Sequence, residues 1–62
     1  MNSRAIIGML KADDRYRVGV SGSHRRFKHP EKRGRVAVPH PRQDVPIKTI
    51  KSIERQSGVK LR

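Results

Sequence analysis

Apolar residues near the start of the chain recur at the spacing of an amphipathic helix. They share one stripe when the segment is given the helical period, and Ser3 stands before them as a residue type that favours the N-cap position. The pattern therefore predicts a first helix over residues 4–13, with Ser3 at its N-cap and an apolar stripe formed by Ile6, Ile7, Met9 and Leu10.

A second helical pattern lies in the last third of the sequence. Asp44 is a candidate N-cap residue, Pro46 suits the first turn of a helix, and Gly58 is a residue type that ends helices. The predicted apolar stripe of this second helix consists of Ile47, Ile50 and Ile53.

Between the helices, three segments alternate with the period of two that is typical of strands. In "YRVGV", the alternation predicts Tyr16, Val18 and Val20 on the buried side, with Arg17 and Gly19 on the other side. The following "SGS" is a turn in which glycine supplies a conformation that other residues resist.

The second and third strands, "HRRFKH" and "RVAVP", follow the same rule. Phe27 is the strongly apolar residue of the second strand and defines its buried face, so His24, Arg26 and Lys28 share the opposite, open face. The third strand is predicted to direct both of its valines into the core and to end at its prolines, because proline cannot donate to a strand ladder.

This order of elements predicts an α+β fold in which a three-stranded antiparallel sheet carries both helices on one face and leaves the other face open. Sixty-two residues allow a single domain, 1–62. A chain this short buries about 60% of its unfolded surface, so a stabilising partner is expected. No apolar run suggests a membrane span or a signal peptide, which predicts a cytoplasmic protein.

Charge indicates the kind of partner. The chain has sixteen Lys and Arg residues against five Asp and Glu residues, a net charge of +11, and the segment 15–42 contains a single acidic residue, Glu31. A polyanion is the natural partner of such a segment, because lysines and arginines that neutralise phosphates release condensed counterions. The candidate RNA-binding residues are Arg17, Arg25, Arg26, Lys28 and Arg35.

The two aromatic residues narrow the mode of RNA binding. Tyr16 and Phe27 are both expected in the core, so a sheet that stacks unpaired bases is disfavoured and phosphate contact with shape recognition is expected instead. The chain has no cysteine, and strand alternation places His24 and His29 on opposite faces, so we predict no metal and no other cofactor.

His24 is the residue with the most chemical potential on the open face. RNA carries its own nucleophile, the 2′-hydroxyl, so cleavage needs a base, an acid and a cation near the phosphorus. A histidine can serve either proton role at neutral pH, and Arg26 and Lys28 could hold the phosphate. Judged on the local sequence, an exposed histidine with no role in chemistry remains the more common interpretation.

The segments "NSR…ML", "GSH…FKHP", "GRVAVPHP" and "DVPIKTIKSIERQSGVKLR" together resemble HicA, the small toxin of toxin–antitoxin pairs. The resemblance implies a double-stranded-RNA-binding-domain-like fold and a metal-independent mRNA interferase. It also implies that His24 is the catalytic residue, that Gly22 and Ser23 form the turn presenting it, and that a HicB-type antitoxin covers the basic face.

Two pairs of positions depart from the family pattern. One pair is Arg25 and Arg26, which stand where the family commonly has polar residues, often His or Gln, after the catalytic histidine. The family usually has glycine and an aromatic residue where this chain has Asp14 and Arg15, and an arginine is not expected to fill an aromatic residue's core pocket. These departures predict a toxin of reduced stability or activity. The alternative functions are a non-catalytic basic RNA-binding module of the same fold and, third, a basic scaffold protein of a ribonucleoprotein.

Overall fold

The structure, a computed structural model, describes residues 1–61. Over these residues the elements follow the predicted order of helix, three strands and helix. Their bounds are α1 Ser3–Ala12, β1 Tyr16–Ser21, β2 His24–Lys28, β3 Val36–Pro39 and α2 Ile47–Ser57. In this part of the chain, neither helix is both long and apolar enough to cross a lipid bilayer.

The three strands form one antiparallel sheet in the order β1-β2-β3. Phe27 of β2 pairs with Val36 of β3, and both side chains are buried, as is Val38. Both helices pack on this face and contact β3, which confirms the predicted α+β architecture with one covered and one open face. The core that results consists of Ile6, Leu10, Phe27, Val36, Val38, Val45, Ile50, Ile53 and Leu61.

The start of α1 differs from the prediction. Asn2, not Ser3, is the N-cap, and its side-chain oxygen accepts a hydrogen bond of 2.8 Å from the backbone N–H of Ala5. Ser3 is instead buried as the first residue of the helix, where its hydroxyl accepts a hydrogen bond of 2.9 Å from the N–H of Arg42. The hydroxyl therefore fastens α1 to the segment that follows β3.

The end of α1 contains the two unusual residues. Asp14 adopts the left-handed conformation, with φ of 66°, directly after the C-cap residue Asp13. Arg15 is 3% exposed, so the expectation that arginine cannot occupy this core position is wrong. Its guanidinium is accommodated because Nη2 donates a hydrogen bond of 3.2 Å to the carbonyl oxygen of Ser57.

The second helix confirms its predicted end but not its predicted start. Gly58 ends α2 in the left-handed conformation, and its N–H donates to the Glu54 carbonyl at 2.8 Å. Pro46 occupies the N-cap position without a side-chain cap, while Asp44 lies 3.7 Å from the N-terminal ammonium group. Ile47, at the first position of α2, is 47% exposed, whereas Ile50 and Ile53 of the same predicted stripe are buried.

The predicted buried side of β1 is wrong. Tyr16, Val18 and Val20 are 48%, 44% and 51% exposed. The pairing register shifts between Arg17 and Gly19, so one residue is inserted into the ladder and the alternation changes face. The helices, moreover, cover β3 and leave the β1 edge of the sheet exposed.

Candidate functional site

The turn between β1 and β2 determines the position of His24. Ser21 and His24 are paired across the strands, which leaves Gly22 and Ser23 as a two-residue hairpin turn. Gly22 has φ of 58°, a conformation that costs other residues energy, and a Cβ at this position would meet nothing within 4 Å. The backbone conformation therefore favours glycine here, and the turn places His24 as the first residue of β2.

The third strand holds the same turn from the other side. His24 pairs with Pro39, and the backbone N–H of His40 donates a hydrogen bond of 2.6 Å to the carbonyl oxygen of Ser23. The backbone around His24 is thus fixed by all three strands of the described sheet. Its side chain lies exposed on the open face.

Arg26 and Lys28 lie on the same face as His24, as the alternation predicted. Alternate residues of a strand are about 6.6 Å apart, so the three side chains form a row along β2. A Cβ on Gly19 would lie 3.0 Å from Nη2 of Arg26, which shows that the Arg26 guanidinium lies across Gly19 of the neighbouring strand. The open face therefore presents an imidazole followed by two cations.

The other candidate RNA-binding residues do not join this row. Arg17 pairs with Phe27 and Arg25 pairs with Val38, so both lie on the helix-covered side of the sheet. Arg35 precedes β3 and is exposed. The five predicted residues are consequently divided between two faces and a loop.

The three histidines differ in what their rings contact. Nδ1 of His29 accepts hydrogen bonds of 3.0 Å from the N–H groups of Glu31 and Lys32, and so stabilises the turn after β2. Nδ1 of His40 lies 2.7 Å from Oγ of Ser3. Among residues 1–61, His24 is the histidine whose ring makes no hydrogen bond to the protein, and both of its nitrogens are available to a substrate.

The surroundings of His40 favour the neutral form of its imidazole. Partial burial of the ring, followed by the positive charges of Arg25 and Arg4, lowers the pKa of His40 below its usual value. A neutral imidazole can accept a hydrogen bond from the Ser3 hydroxyl at Nδ1, and this bond joins α1 to the residue that follows β3. The geometry gives His40 a structural role beside the turn that presents His24.

The carboxylates lie elsewhere. Asp13 accepts hydrogen bonds of 2.8 and 3.0 Å from Nζ of Lys32, and this contact lowers the pKa of Asp13. Over the described range, 1–61, no group of three or more His, Asp or Glu side chains converges as metal ligands would. The charge of the open face is therefore cationic.

A second group of cations was missed in the sequence. Arg4 and Lys11 of α1 line a cleft on the helix-covered side of the sheet, together with Arg17 and Arg25. The signal was present, because residues seven apart lie on the same side of a helix, two turns from each other. The apolar stripe of α1 shows which side of the helix is buried, but not that Arg4 and Lys11 face the strands.

Comparison with known proteins identifies the family. The family model described as "HicA toxin of bacterial toxin-antitoxin" matches residues 3–59, which include α1, the hairpin with Gly22 and His24, β3 and α2. No curated protein matches the chain. Membership implies a toxin that is paired with a cognate antitoxin. Since the match extends over nearly the whole sequence, the chain belongs to the family of HicA toxins of bacterial toxin–antitoxin systems.

Proposed function

We propose that this toxin is a metal-independent endoribonuclease that cleaves mRNA in the cytoplasm and so blocks translation, with His24 as its catalytic residue. The observation that carries the proposal is the placement of His24. Its ring is exposed, makes no hydrogen bond to residues 1–61, and shares the open face with Arg26 and Lys28. A free imidazole beside two cations is suited to proton transfer at a phosphodiester.

In the proposed reaction, the 2′-oxygen of the RNA attacks the adjacent phosphorus. His24 takes the proton from the 2′-hydroxyl or delivers a proton to the departing 5′-oxygen, and each of these roles contributes about 10²- to 10⁴-fold to the rate. Negative charge accumulates on the phosphoryl oxygens as the new bond forms, and Arg26 and Lys28 stabilise it. The products are a 2′,3′-cyclic phosphate and a free 5′-hydroxyl.

Gly22 and Ser23 serve the reaction through the backbone. The left-handed conformation of Gly22 allows a turn of two residues, so His24 stands at the edge of the hairpin where an extended RNA strand can reach it. The bond from His40 N–H to the Ser23 carbonyl limits movement of this turn. A fixed position matters because a small displacement of a proton-transferring group lowers the rate steeply.

We propose that the antitoxin is of the HicB type and covers the open face. An acidic surface would be favoured there by charge, and covering His24 would exclude RNA. Binding to the folded toxin would also stabilise a domain of this size by mass action.

A non-catalytic RNA-binding protein is the competing function, and one observation favours it. The ring nitrogens of His29 and His40 that face the protein are already in hydrogen bonds, so over residues 1–61 no second histidine stands ready on the open face. Such a protein would bind RNA through Arg26 and Lys28 without cleaving it.

Cleavage of a long unstructured RNA in EDTA separates the two functions. We expect the wild-type protein to cleave this RNA and His24→Ala to bind it with similar affinity without cleaving it. Replacing the ribose with 2′-deoxyribose throughout should abolish cleavage by the wild type. Equal cleavage by the two proteins, or binding by both without cleavage by either, contradicts the enzymatic function.

A further inference from the structure

The cleft on the helix-covered side of the sheet lies between α1 and the β1–β2 hairpin. It has a volume of about 700 Å³ and separates the cations of α1, Arg4 and Lys11, from the strand cations Arg17 and Arg25. A volume of this size is typical of a site that holds a small ligand or a short segment of a polymer. The cleft opens beside the hairpin whose other face carries His24.

The charge of the cleft is not neutralised within the described protein. No carboxylate is among the residues of 1–61 that line it, and none of Arg4, Lys11, Arg17 and Arg25 forms a salt bridge with that part of the chain. Four unpaired cations around one concavity repel each other, and an anion relieves this repulsion.

Arg15 adds an independent observation. Its side chain is completely buried, it lines the cleft, and its Nε and Nη1 atoms find no hydrogen-bond partner among residues 1–61. Nε of Arg25 is also buried without a hydrogen-bond partner among residues 1–61. Buried donors without partners are rare in proteins, because each leaves the cost of its desolvation uncompensated. The wall of the cleft therefore contains guanidinium donors whose desolvation residues 1–61 do not compensate.

Tyr16 indicates which polyanion fits. It borders the cleft next to Arg15 and Arg17, but it pairs with Lys28, so its ring lies towards the open face at the edge strand β1, where it is 48% exposed and not in the core as expected. Cations that follow a backbone beside an exposed aromatic ring are the combination found in sites for single-stranded nucleic acid, since every base has a face that can stack. An acidic peptide has no bases that could stack on the ring.

We propose that the cleft is a second binding site for single-stranded RNA, in which Arg4, Lys11, Arg17 and Arg25 contact phosphates. Tyr16, at the edge where the RNA leaves the cleft towards the open face, contacts a base. The inference rests on the proposed function, because it places the cleft next to the scissile site. His24 and Arg25 are consecutive in β2 and point to opposite faces, so an RNA strand that passes the hairpin turn can occupy both. The cleft would then hold nucleotides that flank the cleaved bond.

The test measures binding of a short uridine-rich RNA that carries 2′-O-methyl groups and cannot be cleaved. The double variant Arg4→Gln, Lys11→Gln removes two cleft cations from exposed positions of α1. Its matched control, Lys48→Gln, Lys51→Gln, removes two exposed cations from α2, away from the cleft. We expect at least a tenfold loss of affinity for the cleft variant and less than a threefold loss for the control.

Salt dependence provides a second comparison. For single-stranded nucleic acid, each lost phosphate contact reduces the slope of log K against log salt by about 0.7, so the cleft variant should show a slope smaller by about 1.4. The control should keep the wild-type slope. Circular dichroism of both variants establishes that they are folded.

Tyr16 itself provides the third readout, because the chain has one tyrosine and no tryptophan. We expect its fluorescence to be quenched in a saturable manner by the RNA but not by inorganic polyphosphate, after correction with free N-acetyltyrosinamide. Tyr16→Ala should weaken RNA binding about fivefold or more. Quenching by polyglutamate and not by RNA would assign the cleft to an acidic protein and overturn the proposal.

The cleft proposal can fail while the proposed function stands. Wild-type cleavage of ordinary RNA that depends on His24, together with equal RNA affinity of both double variants, overturns the cleft and leaves the ribonuclease intact. RNA binding by wild type without a change in Tyr16 fluorescence also overturns the cleft. Absence of RNA cleavage with a normal response of the cleft variant overturns the ribonuclease instead.

Discussion

Arg15 is the residue whose environment differs most from what its chemistry suggests. A completely buried guanidinium requires partners, and Arg15 has the Ser57 carbonyl at 3.2 Å and a carboxylate oxygen of Asp13 at 3.8 Å from Nε. The Ser57 carbonyl is at the C-terminal end of α2, where positive charge is favoured. These contacts give Nη2 a hydrogen bond and Nε an ion pair, but they leave Nε and Nη1 without a hydrogen-bond partner among residues 1–61.

Replacing Arg15 with an apolar residue of similar length should therefore stabilise the fold. We expect Arg15→Met to raise the free energy of unfolding by about 1 kcal/mol or more, since exchanging a buried charge for a well-packed apolar group is often stabilising. In a domain of this size that corresponds to a rise in Tm of about 4–8 °C per kcal/mol.

Thermal unfolding followed by circular dichroism measures this change. Arg33→Met, at an exposed position, is the matched control and should change the stability by less than about 0.5 kcal/mol. A lower Tm for Arg15→Met would show that the contacts of the guanidinium contribute more than its burial costs.

His40 gives the stability of the protein a pH dependence. Its pKa is lowered in the folded state by burial and by Arg25 and Arg4, so protonation favours the unfolded chain. Stability should be fully present above the ordinary histidine pKa of about 6.5 and should decrease as the pH falls through that value towards the lowered one. The lowered pKa of Asp13 acts separately, below about pH 4.

Urea unfolding between pH 7.5 and 5 tests the histidine. His40→Asn should show a smaller loss of stability over this range than the wild type, because the titrating group is removed. An unchanged pH dependence in His40→Asn would assign it to another group.

At the scale of elements, sequence patterns predicted the existence and order of all five elements, and the faces of β2 and β3. The alternation is regular because β2 and β3 pair without a bulge, so Phe27, Val36 and Val38 all face the core. The face of β1 could not be predicted, because one residue inserted between Arg17 and Gly19 reverses the alternation. Whether such a residue is inserted depends on how β1 pairs with β2.

The helix starts show the same limit. Ser3 and Asp44 are both good capping residues, but neither caps a helix here. The Ser3 hydroxyl accepts a hydrogen bond from the backbone of Arg42, and the Asp44 carboxylate lies beside the N-terminal ammonium group. These competitors are distant in sequence. Likewise, the row of His24, Arg26 and Lys28 followed from local alternation, while the cleft required knowing that α1 faces Arg17 and Arg25.

The hairpin turn is the element whose chemistry is easiest to perturb. Gly22→Ala should lower the free energy of unfolding by about 1–2 kcal/mol, because φ of 58° is unfavourable for a residue with a Cβ. Gly22→Asn should cost less, since asparagine tolerates this conformation. Tm measured by calorimetry reports both.

Gly8→Ala is the matched control for a glycine that needs no special conformation. Gly8 lies inside α1 with open space at the Cβ position, so alanine should stabilise the protein by up to about 1 kcal/mol. A Tm for Gly22→Ala that equals that of the wild type would show that the turn rearranges freely, and would weaken the argument that Gly22 positions His24.

At the scale of the whole molecule, a net charge of +11 on 62 residues is distributed over two cationic surfaces that share one hairpin. The open face carries His24, Arg26 and Lys28, and the cleft carries cations from α1 and the strands. A domain this small has a limited core, so its toxicity and its stability both depend on what covers these surfaces. Under the proposed function, the antitoxin and the RNA compete for the same hairpin.

The catalytic role of His24 is tested most directly by the single-turnover rate of RNA cleavage in EDTA by His24→Asn and by His29→Asn. Each variant removes one imidazole from β2 or the residue that follows it, and each leaves the numbers of Lys, Arg, Asp and Glu residues unchanged. We predict that His24→Asn cleaves at least about 100-fold more slowly than wild type, with RNA affinity within threefold, while His29→Asn cleaves at the wild-type rate. Equal rates for His24→Asn and the wild type would contradict the assignment of His24 as the catalytic residue.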